Sequence, residues 1–107
     1  MTYKTYYEAI TVSTTAVGLT AGLVAEMAPA KNVVGGLARI EVFLTITTAP
    51  IRLRYDGVVV TNTTGHYIYP GTMIKISDYN QLANLSMIRD SGAAVDALVQ
   101  VTYWMSY

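Results

Sequence analysis

Cysteine is missing from these 107 residues, and its absence removes three possibilities at once. There is no disulfide framework, no thiolate nucleophile and no cysteine-based zinc site. Histidine is almost missing too. His66 stands alone, so neither a His/His metal pair nor a metalloprotease helix can be built. Charge is scarce: seven Lys+Arg balance seven Asp+Glu, together 13% of the chain, where soluble domains carry about 25%. The cations Lys4, Lys31, Arg39, Arg52, Arg54, Lys75 and Arg89 are scattered. Counterion release on nucleic acid requires them clustered, so nucleic acid is not an expected partner. No apolar run approaches the ~20 residues of a membrane helix, and no membrane is expected either. The opening stretch Met1–Glu8 lacks a basic segment followed by an apolar one, which argues against a signal peptide and for synthesis in the cytoplasm. A chain with so little charge has little colloidal repulsion, and neighbours are expected to cover much of its surface.

What is abundant points to strands. Hydrophobic residues make up 52% of the chain, Thr and Val are frequent, and there are nine tyrosines. Branched and aromatic side chains suit a pleated, half-buried surface. From Arg39 to Thr47, Ile40, Val42, Leu44 and Ile46 alternate with polar residues and Phe43, a period of two that fits only a strand. Strands are also expected over Thr5–Val12, Ile51–Tyr55, His66–Tyr69, Thr72–Asp78, Leu82–Arg89 and Val95–Tyr103. Ile40, Val42, Leu44, Ile46, Ile74, Ile76, Val99 and Val101 should point inward. Asp56-Gly57, Pro70-Gly71 and Asp90-Ser91-Gly92 read as turns, and Thr61–Gly65 as a loop. Pro50 removes one ladder hydrogen bond and so implies an edge strand or a bend. Between Ser13 and Gly36 the pattern changes to Ala and Gly; a short helix behind Thr20 as N-cap, ended by Pro29, competes there with an ordered loop. The expected fold is all-β: one domain, 1–107, forming an antiparallel β-sandwich of about seven or eight strands, immunoglobulin-like or jelly-roll-like, with at most a short helix near 20–27.

No catalytic set emerges. His66 would need one of Ser13, Ser77, Ser86, Ser91 or Ser106, and none lies in a G-x-S-x-G elbow. A backbone hydrogen bond beside Thr63-Thr64-Gly65 is its expected role. Among the carboxylates, Asp56, Asp78, Asp90 and Glu26 sit at turn, cap or loop-flanking positions. Glu41 lies mid-strand, where an ion pair with Arg39, Arg52 or Arg54 is expected. No calcium loop of the D-x-[DN]-x-[DN]-G kind occurs, and Gly35-Gly36 is too weak a signal for phosphate. The expectation is therefore no catalytic, cofactor-binding or metal-binding residue and no cofactor. The tyrosines could form a sugar platform, with Tyr67, Tyr69 or Trp104, but Tyr and Arg are also what protein interfaces favour. Tyr3, Tyr6, Tyr7, Arg52, Arg54, Tyr67 and Tyr69 are the candidate interface residues.

One stretch resembles a known pattern. Ile46-Thr47-Thr48-Ala49-Pro50-Ile51-Arg52-Leu53-Arg54-Tyr55-Asp56-Gly57, then Thr61 through Gly65-His66, then Pro70-Gly71-Thr72-Met73-Ile74 and a closing Val101-Thr102-Tyr103, is similar to small structural proteins of tailed bacteriophages. There the pattern runs roughly E-x-A-P-I-R-x-R-x-D-G, a Thr-rich spacer, G-H, and a G-D-x-I-x-L strand. Thr47 and Thr72 stand where acidic residues are usual. The resemblance implies a virion component made in the host cytoplasm, a β-sandwich that decorates or cements the capsid. The major capsid protein is then the first expected partner, and a homo-oligomer, for which a trimer is one form, the expected state. A neck or tail accessory protein is the second reading, and a carbohydrate-binding sandwich the third.

Overall fold

The computed structural model describes residues 3–31 and 38–106, with nothing to say of the side chains of Tyr3 and Lys31; Gly35-Gly36 lies outside the described residues. Along the chain run β1 (Tyr3–Val12), α1 (Ala21–Glu26), a 3-10 turn (Ala28–Lys31), β2 (Arg39–Thr47), β3 (Ile51–Arg54), β4 (His66–Ile68), β5 (Met73–Ile76), α2 (Tyr79–Ala83), β6 (Ser86–Arg89) and β7 (Ala97–Ser106). The strands form two antiparallel sheets, ordered β1-β7-β2-β5 and β4-β3-β6. An all-β fold of seven strands in two sheets is what the alternation predicts. The order departs from the immunoglobulin arrangement in two respects: β4 pairs with β3 instead of joining the sheet of the first, second and fifth strands, and the last strand is placed differently. There the last strand joins the sheet of the third and sixth strands; here β7 inserts between β1 and β2.

The core lies between the sheets. β2 buries Ile40, Val42, Leu44 and Ile46, and β7 buries Ala97, Val99, Val101, Tyr103 and Met105. β3 adds Ile51 and Leu53, and β6 adds Met87. Each such aliphatic side chain contributes about 1.5–3 kcal/mol when fully removed from water. Of the inward set, only Ile74 is half-buried, because β5 is an edge strand. Val95, expected to begin the last strand's inner face, is exposed, since that strand starts at Ala97.

Two sharp bends carry the chain between sheets. After β2, Ala49 N–H donates to the Thr47 carbonyl at 2.9 Å, with Thr48 at φ 79° between them. That is a γ-turn, which a β-branched residue adopts only under strain. Pro50 follows at this bend, leading into β3, which is the central strand of its sheet and not an edge. After β4, Pro70-Gly71 turns the chain, Gly71 at φ 91° and its N–H bonded to the Ile46 carbonyl.

Four local expectations are corrected. Leu82–Arg89 is not one strand. Asp78 accepts from the Asn80 and Gln81 N–H groups at 2.8 and 3.1 Å and starts α2, with Leu82 as its buried residue; only Ser86–Arg89 is extended. A second short helix is thus present beyond the one expected near 20–27. Asp56-Gly57 does not close a tight hairpin, because β3 ends at Arg54 and β4 begins at His66. Thr20 precedes α1, but its hydroxyl donates to Glu8 at 2.5 Å and makes no cap bond, while Pro29 sits inside the 3-10 turn. Glu41 pairs with Lys75 at 3.5 Å rather than with an arginine, since β5 and not β3 is the neighbour of β2.

Candidate docking surface

β3 alternates Ile51 and Leu53 inward with Arg52 and Arg54 outward. The antiparallel register sets Tyr67 directly opposite Arg52. Tyr69, two residues on, meets Tyr67 edge to face, with centroids 4.8 Å apart and planes at 73°. The Arg52 guanidinium carbon lies 5.0 Å from the Tyr67 ring centroid, a cation–π contact. The same guanidinium donates through Nε to Asp90 at 2.7 Å and through Nη1 to the Gly65 carbonyl at 3.3 Å. Asp90 is only 7% exposed and also accepts from the Gly92 N–H at 2.9 Å. The Gly92 N–H first, and Arg52 second, hold its carboxyl below the usual carboxylate range. Arg52 is therefore fixed on three sides beneath an exposed tyrosine pair.

Beside it, Arg54 forms a two-pronged pair with Asp56, at 3.1 and 2.5 Å. That hydrogen bonding, helped by the Val58 N–H, lowers Asp56 to about 2. Tyr55 and His66 stack with centroids 5.9 Å apart. Arg54, Tyr55, Asp56, Gly65 and His66 line a shallow cleft of about 320 Å³. The expected hydrogen bond of His66 to nearby backbone is replaced by this stacking. Gly65 holds φ 102°, and a Cβ there would come within 2.9 Å of Val60 and 3.0 Å of the Leu53 carbonyl, so glycine is required for the loop to close on β3.

Of the seven candidate interface residues, the fold brings Arg52, Arg54, Tyr67 and Tyr69 onto one outer face. Tyr7 is exposed on the opposite, four-stranded sheet. Tyr6 points to the inner side of β1, and its hydroxyl donates to Glu26 at 3.1 Å. Tyr3 begins β1. Sequence reasoning passed over the role of Asp90, which is 38 positions from Arg52 and read only as a turn residue. It also passed over the outer face of the four-stranded sheet, where Tyr7, Thr102 and Phe43 form one cross-strand row and Trp104 lies on the next. The signal for that face was the mixed outward pattern of Leu98, Gln100, Thr102 and Trp104. Among the described residues, no cluster of three or more His, Asp or Glu side chains is placed to hold a metal ion, and no helix is long and apolar enough to cross a membrane.

No family model matches the chain, and no curated protein matches it in sequence. A solved structure similar to it is described as "Bacillus endospore appendages form a novel family of disulfide-linked pili". The two are 10% identical, the alignment covers 96% of this chain and 85% of that one, and the TM-score is 0.46.

Proposed function

We propose that this protein is a non-enzymatic structural component of a tailed-phage virion that docks through the outer face of its three-stranded sheet, with the major capsid protein as the partner it decorates. One observation carries the docking reading: Arg52 is held by Asp90 and Gly65 under Tyr67, with Tyr69 packed alongside. Arginine and tyrosine are common interface anchors, and an anchor already fixed in place loses little side-chain freedom on binding. The virion assignment rests on the resemblance, whose Ala49–Gly57 segment supplies Arg52 and Arg54 and whose Gly65-His66 segment lies beside them. A neck or tail position uses the same surface and is separated from decoration by copy number. The sugar-binding reading is disfavoured by geometry. Tyr67 and Tyr69 meet at 73° and so offer no coplanar platform, and Trp104 lies on the other sheet.

The test is occupancy of variants on purified particles. Tyr67→Ala and Arg52→Ala should each weaken attachment by about 2 kcal/mol or more, roughly thirtyfold. Lys75→Ala, on the opposite sheet, should attach like the parent. Equal occupancy for all three would contradict the docking face.

A further inference from the structure

Four strands end the two sheets, and three of them are protected against pairing with another chain. β4 has three residues and runs into Pro70, and β5 has four. β6 also has four, and its free side is bridged by Val17 to Met87 and by the Arg89 N–H to Ser13. β1 is the exception. Its ten residues pair with β7 from Tyr3↔Ser106 to Val12↔Ala97 without a skipped position. It contains no proline, glycine or bulge, and among the described residues no backbone group bonds to its outer edge. A long, regular edge strand presents a row of N–H and C=O groups that templates a further strand.

The charges on β1 select the occupant. Lys4 and Glu8 are its only charged residues, both on the inward-turned side, four positions apart, and the Glu8 carboxylate keeps its charge while accepting from the Thr20 and Tyr103 hydroxyls. We propose that β1 pairs antiparallel with β1 of a second copy about a two-fold axis, with Tyr6 opposite Tyr6, so that the two four-stranded sheets become one continuous sheet. In that register each Lys4 faces Glu8 of the second copy, and each exposed Thr5 faces the exposed Tyr7 of the second copy, an aromatic against a β-branched residue. A slip of one residue would turn one copy's inner side outward. Centring on Thr5 or Tyr7 sets neither charge opposite its complement, and centring on Glu8 sets two carboxylates against each other. Of these registers, the Tyr6-centred pairing is the one that sets lysine opposite carboxylate. This contact is separate from the Arg52–Tyr67–Tyr69 face and does not depend on what that face binds.

The isolated chain tests it. Sedimentation equilibrium over a concentration series should show a monomer–dimer equilibrium, and Lys4→Glu should weaken the dimer at least tenfold. Because the chain has no cysteine, single replacements report the register. Opposite residues in an antiparallel pair have Cα atoms about 4.5–5.5 Å apart, within disulfide reach, whereas two copies of Thr5 would be roughly 8 Å apart. Mild oxidation should therefore link Tyr6→Cys into dimers and leave Thr5→Cys largely unlinked. A monomer throughout the series, a trimer, a dimer indifferent to Lys4→Glu, or equal linking at both cysteines would each overturn the proposal. Should Lys4→Glu fail to fold, the two cysteine variants decide the matter. Failure here with intact particle binding would leave the docking face standing, and the reverse holds equally.

Discussion

Tyr103 illustrates how one buried polar group is satisfied across the whole chain. Its ring is fully buried in β7, and its hydroxyl donates to Glu8 on β1, which also accepts from the Thr20 hydroxyl. Burial, and then Glu8, push the Tyr103 hydroxyl well above the ordinary tyrosine value. The unfolded chain ionises near pH ~10 while the folded one keeps its proton, so stability should fall as pH rises through that range. Tyr103→Phe removes a hydrogen bond to a charged group and should cost about 1.5–3 kcal/mol at neutral pH. It should also flatten the alkaline limb in denaturant titrations; an unchanged limb would show that Tyr103 ionises freely. Asp90 runs the other way. Its lowered carboxyl contributes stability above the ordinary carboxylate value of about 4, and that contribution is lost as pH falls below it. Asp90→Asn should therefore reduce the loss of stability between neutral and acid pH, as read by thermal melts across the range.

Among the elements, those with two-residue periodicity over many positions are the ones the sequence makes legible. β2 runs over the nine residues the alternation marks, and its inner and outer faces follow. α2 was hidden because Leu82, Leu85 and Met87 fit a weak strand, although Asp78 three residues before Gln81 held the N-cap position. Asp78→Ala should cost about 1 kcal/mol and loosen α2, measurable as faster amide exchange at Asn80 and Gln81. Unchanged exchange there would mean that packing of Leu82, not the cap, holds the helix. The docking face was half legible. Spacing places Arg52 with Arg54, and Tyr67 with Tyr69, on common sides of their strands. That Arg52 sits over Tyr67 and against Asp90 depends on strand register and on a turn 38 positions away, which no local pattern encodes.

For the whole molecule, the two proposed contacts are separate: the outer face of the three-stranded sheet and the β1 edge. The three-stranded sheet carries the fixed Arg52–Tyr67–Tyr69 array, and β1 is the edge proposed for the copy-to-copy contact. Net charge is zero, so no long-range repulsion opposes close packing of many copies. The most direct measurement of the proposed role is the number of copies of this chain per particle, by quantitative mass spectrometry of virions from the genome that encodes it. Decoration of the capsid predicts hundreds of copies per particle, lost together when Tyr67→Ala replaces the parent. Six or twelve copies would move the protein to the neck or tail, and its absence from purified virions would contradict a virion role altogether.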